Sequence, residues 1–180
     1  ALQSGVTFNS GITGTIGTGI TFPAGHVIKT YWQPKLGVQE ILASQTRVAI
    51  TDLAIAGIIP KNDSSKFLVR LDASFWGNDS SFNLERSIAS GSYEMISPPT
   101  DVPGSVTSAH FGGSHRGIYE SNSGSMTILD SPATASTVNY KVTFNIGGDG
   151  NGYINRPSTF GTAGSDEQLI SALTIQEIAG

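Results

Sequence analysis

The chain contains no cysteine and few charged side chains, and each shortage removes a class of function. Without cysteine there are no disulfides, no thiolate metal sites and no cysteine nucleophile. The fold can therefore form in a reducing cytoplasm. Charged residues make up 13% of the 180 residues, and the formal net charge is −4. Because nucleic-acid binding needs a basic surface, we expect no nucleic-acid partner.

Long apolar runs are also missing. No run approaches the roughly 20 residues that a helix needs to cross a bilayer. The first four residues lack the positive start and apolar stretch of a secretory signal. We therefore predict neither membrane insertion nor export. Hydrophobic residues at 38%, in clear alternation with Gly, Ser, Thr and Asn, favour a turn-rich all-β protein over a disordered one.

Residues 1–22 form a Gly/Thr-rich segment with spaced β-branched residues. The phrase Gly-Val-Thr or Gly-Ile-Thr begins at Gly5, Gly11 and Gly19. Such residues suit extended chain, and two interpretations stay open. One is a flexible linker. The other is an extended arm for trimerisation or attachment, whose apolar residues face a shared axis: Leu2, Val6, Phe8, Ile12, Ile16 and Ile20.

Residues 23–180 are predicted to form one β-sandwich head domain. Apolar and polar residues alternate most clearly over 66–75 and Val138–Ile146, which is typical of half-buried antiparallel strands. Shorter candidate strands are 27–32, 47–53, 82–88, 126–129, 153–155 and 173–178. Many short strands with Gly-rich turns indicate an all-β fold, an antiparallel β-sandwich that is jelly-roll-like.

Four connecting stretches carry local signals. Residues 60–65 predict a turn before a strand, and 147–152 predict a hairpin loop between two strands. Residues 165–172 predict one helical turn capped by Ser165. The stretch 90–124 is irregular and contains Pro98, Pro99 and Pro103. A long irregular segment in a compact domain is usually functional or mobile.

Catalytic arrangements are weak in this sequence. Ser114 is adjacent to His115, but no G-x-S-x-G elbow surrounds the pair, so a loop is the simpler interpretation. Glycoside hydrolysis needs two carboxylates across a cleft. Glu85, Glu120 and Asp130 are present, but nothing in the sequence pairs them. We therefore predict no enzyme and no catalytic residues.

Metal-binding arrangements are equally weak. His110 and His115, with Asp101 or Glu120, fit no strong ligand template. On a threefold axis one histidine per chain would supply three ligands, which is the alternative to two ordinary loop histidines. The stretch 149–152 lacks the later carboxylates of a calcium loop. We predict no metal and no cofactor.

Aromatic side chains near predicted strand ends are the remaining candidates. Exposed aromatics beside Asn, Asp and Arg stack on sugars or anchor a protein partner. The candidates for receptor or glycan binding are Trp76, Phe111, His115, Arg116 and Tyr119. Tyr31, Trp32 and Phe75 belong to the same group of aromatics, and Phe75 is better explained by the core. The alternative for the whole group is core packing or a subunit interface.

Five phrases occur in an order that resembles a domain of tail-fibre-like proteins from marine and cyanobacterial phages. The phrases are 22–28, 59–69, 129–134 with 140–142, 153–156 and 173–180, which together span about 22–180. The resemblance implies a β-sandwich that trimerises on phage appendages, and it carries over no catalytic residues. Residues 73–120 depart most from the pattern, and variable loops of such families tend to carry recognition.

We therefore expect a non-enzymatic virion structural protein, assembled in the host cytoplasm. It is expected to be a homotrimeric tail fibre or fibre-like module that presents loops for host attachment, with a host surface glycan as receptor. The arm would contact other virion proteins of the tail or capsid. Only residues 1–22 are available as adaptor or shaft, so a small fibre, a tip and a capsid decoration (head fibre) protein stay open. A glycan-degrading tailspike-type enzyme is the alternative that the sequence supports least.

Overall fold

The computed structural model describes residues 22–42, 47–77, 79–97, 111–113, 121–147, 150–156 and 169–180. Within these ranges the strands are β1 Val27–Lys35, β2 Gln39–Ile41, β3 Val48–Ile58, β4 Lys66–Trp76, β5 Ser80–Ile88, β6 Glu94–Met95, β7 Phe111–Gly113, β8 Asn122–Asp130, β9 Val138–Ile146, β10 Gly152–Ile154 and β11 Ser171–Ile178. The described residues include no helix that could cross a membrane. The predicted arm lies outside these ranges apart from Phe22, so its role stays a prediction.

The strands form two antiparallel sheets. In sheet A, β1 pairs with β11, β11 with β4, and β4 with β8; the short β2 and β10 continue the lines of β1 and β11. In sheet B the order is β3, β9, β5, with β6 and β7 both along β5. Each sheet is four strands wide, and the strand order is that of a jelly roll. The predicted antiparallel, jelly-roll-like β-sandwich is confirmed.

The core lies between the two sheets. In β4, Phe67, Val69 and Leu71 point inward and are fully buried, because successive side chains of a strand alternate between its faces. The rings of Phe75, Phe82 and Phe144 join the sheets through edge contacts, with centroids 4.7–6.0 Å apart. Such edge-to-face pairs add about 0.5–1.5 kcal/mol beyond the area they bury.

The predicted strands all occur. Val138–Ile146 has the predicted bounds, and the strand predicted at 66–75 ends one residue later, at Trp76. The six weaker candidates also occur, with shifted ends. β2, β6 and β7 were not predicted. Each has only two or three residues, which is too short to show a period of two.

The loop at 147–152 is not a hairpin, so this prediction was wrong. β9 belongs to sheet B and β10 to sheet A, and the chain therefore crosses here between the sheets. Gly152 permits the crossing. A Cβ atom at this position would lie 2.7 Å from Cδ1 of Ile146 and 2.8 Å from Cε1 of Phe144. The composition of the loop predicts a turn, but it does not show whether the strand after the turn pairs with the strand before it.

The turn predicted at 60–65 is confirmed, and β11 holds it in place. Oε1 of the buried Glu177 accepts hydrogen bonds from the backbone N–H of Lys61 (2.5 Å) and from Oγ of Ser65 (2.8 Å). The helical turn predicted at 165–172 is wrong where it is described. Ser171 and Ala172 belong to β11, whose ladder to β1 and β4 includes them.

Asn155 lies where sheet A is interrupted in two neighbouring positions. One interruption separates β1 from β2, and the other separates β10 from β11. Asn155 is fully buried and has a left-handed backbone, with φ +66°. Nδ2 donates to the carbonyl oxygens of Lys35 (2.7 Å) and Gly37 (3.1 Å), and Oδ1 accepts from Oγ of Ser171 (2.6 Å). The backbone N–H donates to the carbonyl of Ser74 (2.9 Å). Asn155, directly after β10, is therefore hydrogen-bonded to β1, β4 and β11.

Candidate binding face on sheet A

The outward side of sheet A is the candidate functional site. The middle of this side carries side chains of β1, β11, β4 and β8 in three rows: Trp32, Thr174, Arg70 and Thr127; Pro34, Ala172, Asp72 and Ser125; and Thr30, Gln176, Leu68 and Leu129. We call this surface the outer A face. Most of its side chains carry a hydroxyl, an amide or a charge, so it offers hydrogen-bonding groups on a flat scaffold.

Trp32 stands at the β1 end of the central row. Its side chain points outward because the alternation of β1 turns Tyr31 toward the core, against which it packs. Trp32 is 63% exposed. An indole in this position presents a broad apolar surface and one N–H donor to any ligand on the face.

Arg70 and Asp72 form an ion pair in the middle of the face. They are two residues apart in β4 and so point to the same side. Nη2 of Arg70 donates to Oδ1 of Asp72 (2.8 Å), and Nε donates to Oδ2 (2.9 Å). This hydrogen bond and the carboxylate charge raise the pKa of Arg70. Both side chains are exposed. An exposed pair adds little to stability, but this one holds two polar groups in fixed orientation.

Two shallow depressions of the outer A face meet at Asp72. One, of about 360 Å³, is lined by Leu68, Arg70, Asp72, Thr127, Thr174 and Gln176. The other, of about 390 Å³, is lined by Asp72, Ala73, Ser74, Ser123, Gly124, Ser125, Leu169 and Ile170. Their lining suits a ligand rich in hydroxyl groups. Among the described residues, this lining includes no histidine and no lysine.

The outward side of sheet B is closed by comparison. Its cross-strand pairs are buried or half-buried: Asn139 with Ser87 (3.1 Å), Lys141 with Glu85 (3.2 Å) and Asn145 with Ser81 (3.3 Å). Thr143 bonds to Glu85 (3.0 Å) instead of to its register partner Asn83. Asn83 is fully buried, and neither of its side-chain polar atoms has a hydrogen-bond partner among the residues that the structure describes. The hydrogen-bonded pairs stabilise the sheet, and because these polar groups are buried or half-buried they offer little to a ligand.

The structure separates the residues that the sequence suggested for binding. Trp76 ends β4, is 7% exposed, and its ring lies 6.1 Å from that of Tyr153. A ring covered in this way offers little area for stacking, which favours the core interpretation. Phe111 begins β7, opposite Phe82. His115, Arg116 and Tyr119 lie outside the described residues, as do the six arm residues Leu2, Val6, Phe8, Ile12, Ile16 and Ile20.

Sequence reasoning named Trp32 only as one of several aromatics, and it missed Arg70 and Asp72 as site residues. The signal for the pair was present, because both occupy the polar positions of the clearest alternating strand. For Trp32 the signal was ambiguous. Tyr31 and Trp32 are adjacent aromatics, so alternation alone does not show which of them points inward.

Two of the candidate catalytic carboxylates, those of Glu85 and Asp130, bind other side chains of the fold and do not face each other. Asp130 points between the sheets, where it accepts hydrogen bonds from Nη1 of Arg86 (2.5 Å) and from the hydroxyl of Tyr140 (2.7 Å). Glu85 lies on the outward side of sheet B, bound to Lys141. No group of three or more potential metal ligands occurs in the part of the chain that the structure describes.

Comparison with known proteins gives no family. No family model matches the chain, and no curated protein matches it. The chain is similar to a chain in a solved structure titled "Structure of infectious bursal disease virus Gx strain", with a TM-score of 0.39 and 9% identity. The match covers 84% of this chain but only 37% of that one. We draw no functional conclusion from a likeness of this degree.

Proposed function

We propose that the protein is a non-enzymatic structural component of a virus particle, a homotrimeric tail fibre or fibre-like module with a sandwich head. The observation that carries the proposal is the jelly-roll order of its two sheets, an architecture used by viral capsid and lectin domains. A fold alone does not fix a function. The five phrases that resemble phage tail-fibre-like domains supply the second support.

The placement of the polar groups also supports a role in binding and assembly over catalysis. The buried ion pair of Arg86 and Asp130 and the pair of Lys141 and Glu85 are each enclosed by further hydrogen bonds within the fold. Groups satisfied in this way stiffen a scaffold. The exposed polar surface of sheet A, in contrast, is free of a base and nucleophile in contact with each other among the described residues.

In this proposal residues 1–22 attach the head to other virion proteins and associate in the trimer. A homotrimer buries the same apolar patch of each copy against its neighbour. The apolar residues of the segment would supply that patch. Attachment to a host surface and assembly in the host cytoplasm are parts of the same proposal.

A capsid decoration protein is the second candidate. The jelly-roll head and the low charge suit both locations on a particle equally well. The two candidates differ in position and not in chemistry, so the location on the particle separates them.

Cryo-electron microscopy of intact particles tests the proposal. We expect density with threefold symmetry for the sandwich domain at the tail of the particle. Mass spectrometry of purified particles should detect the chain. Density on the capsid lattice would favour decoration. Absence of the chain from purified particles would reject both. Light scattering of the purified chain adds a second test, in which a monomer at micromolar concentration contradicts the trimer.

Removal of residues 1–22 tests the arm separately. We expect the shortened chain to keep the circular dichroism spectrum of the sandwich but to lose attachment to particles. A shortened chain that still attaches would show that the head itself makes the virion contact.

A further inference from the structure

We propose that the outer A face binds a neutral oligosaccharide, with Trp32 stacked on one sugar ring and the pair Arg70–Asp72 hydrogen-bonded to the hydroxyl groups of a neighbouring sugar. The proposal concerns the surface of the isolated chain. It holds whether the chain is a tail component, a capsid component or neither.

The first step is the exposed indole. One face of a pyranose ring presents C–H groups, and an aromatic side chain binds such a face by excluding water from both surfaces. Trp32 is on an edge strand and 63% exposed, so a ring can approach it without displacing other side chains. A single exposed aromatic is ordinary on a protein surface, so the argument needs the groups beside it.

The second step is the ion pair. A guanidinium has five N–H donors and a carboxylate about four acceptor positions. The bonds between Arg70 and Asp72 use only Nε, Nη2 and part of the carboxylate capacity. The pair therefore keeps donors and acceptors that adjacent hydroxyl groups of one sugar would satisfy. Because the pair is already oriented, a ligand does not have to order it on binding.

The third step is charge. The two charges of the pair neutralise each other, and the three rows of the outer A face contain no other charged residue; the exposed Lys66 lies one position beyond them, at the start of β4. A surface without net charge does not attract an anionic glycan or a nucleic acid. The hydroxyl groups of Thr127 and Thr174 and the amide of Gln176 complement a ligand that is polar but uncharged.

The fourth step is distance. Trp32 lies on β1 and Arg70 on β4, with β11 between them. Two strand spacings separate their Cα positions by about 10 Å. This span leaves room for more than one sugar unit between the two strands. The depressions that meet at Asp72 extend the surface toward Ser123 and Ser125.

A second copy of the chain is the competing occupant. The apolar members of the face form two small groups, Trp32 with Pro34 and Ala172 at one side and the register partners Leu68 and Leu129 at the other, and hydroxyl and charged groups lie between them. The core of a stable homodimer or homotrimer interface is more apolar than the rest of the surface and poor in charge. The composition of the outer A face therefore favours the glycan.

The test uses the full chain on a glycan array that carries neutral oligosaccharides of glucose, galactose and N-acetylglucosamine together with sialylated and sulfated ones. The strongest neutral probe is then titrated calorimetrically against Trp32→Ala and Arg70→Gln. We expect a neutral oligosaccharide to bind the parent chain weakly, and each variant to lose about tenfold or more of that affinity. Ile59→Ala is the matched control, since Ile59 is 70% exposed but follows β3 of the other sheet. It should bind as the parent does.

Four outcomes overturn the proposal. They are no binding to any neutral probe, binding to acidic probes alone, unchanged affinity in both variants, and a change of oligomeric state on Trp32→Ala in light scattering. The last would assign the face to contacts between copies. All variants change exposed side chains, so their unfolding transitions should match that of the parent. The measured glycan affinity does not depend on where the chain lies on a particle.

Discussion

Nδ2 of Asn155 donates a 2.7 Å hydrogen bond to the carbonyl oxygen of Lys35, 120 residues earlier in the chain. The bond joins the two breaks in sheet A and gives the carbonyl oxygen of the buried Lys35 a donor. Asparagine suits the position because it tolerates a left-handed backbone and supplies both donors and an acceptor. Glycine has the backbone freedom but no side chain, and aspartate lacks the donors.

Replacement of Asn155 by alanine should destabilise the sandwich by about 3 kcal/mol, because it leaves buried groups unpaired and puts at positive φ a residue that tolerates this backbone less well than asparagine does. Asn155→Gly separates these causes, since it loses the bonds but accepts the backbone. We expect glycine to recover about 1 kcal/mol of the loss. Urea unfolding measures both. A free energy of unfolding for Asn155→Ala within about 0.5 kcal/mol of the parent would contradict the assigned role.

Tyr140 should make the fold sensitive to alkali. Burial, and next the charge of Asp130 and the hydrogen bond to it, raise the pKa of Tyr140 above its ordinary value. The unfolded chain loses this proton near pH 10 and the folded chain does not. The stabilisation is therefore complete below about pH 10 and falls by up to about 1.4 kcal/mol per pH unit above it.

Tyr140→Phe tests this dependence. The variant loses the bond to Asp130 (2.7 Å), so it should be about 1–2 kcal/mol less stable at neutral pH. Above pH 10 its free energy of unfolding should fall less steeply than that of the parent. Parallel curves from pH 8 to 11 would show that Tyr140 does not control the alkaline slope.

Lys35 is a buried amine whose replacement should stabilise the protein. Burial lowers the pKa of Lys35, and the carboxylate of Asp52 at 4.0 Å only partly opposes this effect. In the pH range between the folded and unfolded pKa values, the unfolded chain binds a proton that the folded chain has released. The cost of burying the charge is therefore full at low pH and disappears as the pH rises toward the unfolded value of about 10.4.

Lys35→Met keeps the length of the side chain without its charge. We expect a gain of about 1 kcal/mol at pH 7 that shrinks as the pH approaches 10. Asp52→Asn is the control. It should destabilise the parent, yet change the Lys35→Met background little, because the interaction partner is gone. A loss of stability in Lys35→Met would mean that the ion pair outweighs the burial cost.

Asn83 should also be improvable. Its side-chain amide is buried without a hydrogen-bond partner, a condition that costs about 1–3 kcal/mol. Asn83→Leu removes the unpaired groups at similar volume and should raise the free energy of unfolding by about 1 kcal/mol. Asn145→Leu is the matched variant, since Asn145 is bonded to Ser81 and to the backbone N–H of Arg47. It should lower stability. Destabilisation by both changes would show that Asn83 has a polar partner.

The strands of this fold could be predicted from sequence, but their arrangement could not. β4 and β9 show their two faces through alternation alone, because each has one side against the core. Pairing is a property of two distant segments. Nothing in the Gly-rich loop at 147–152 states that β10 continues in the other sheet, and Asn155 looked like the end of a strand instead of a junction.

The type of candidate site could be predicted from the sequence, but its position on the fold could not. The sequence favoured exposed aromatics beside polar groups, and Trp76 satisfied that rule through the Gly and Asp that follow it. In the fold, its outward direction brings it against Tyr153, whereas Trp32 on the edge strand has the short side chain of Thr174 beside it. Exposure depends on what the neighbouring strand contributes, which a single strand does not reveal.

The pairing of the first described strand with the last governs how the chain reaches its native state. Among the described strands, β1 pairs only with β11, and β2 only with β10. During synthesis the backbone N–H and C=O groups of β1 therefore have no strand partner until Ser171–Ile178 has left the ribosome. Closure of so long a loop is entropically costly and slow, in the range of milliseconds to seconds for comparable β-sandwiches. We expect folding to be completed only after translation, and chains interrupted before β11 to be aggregation-prone instead of partly functional.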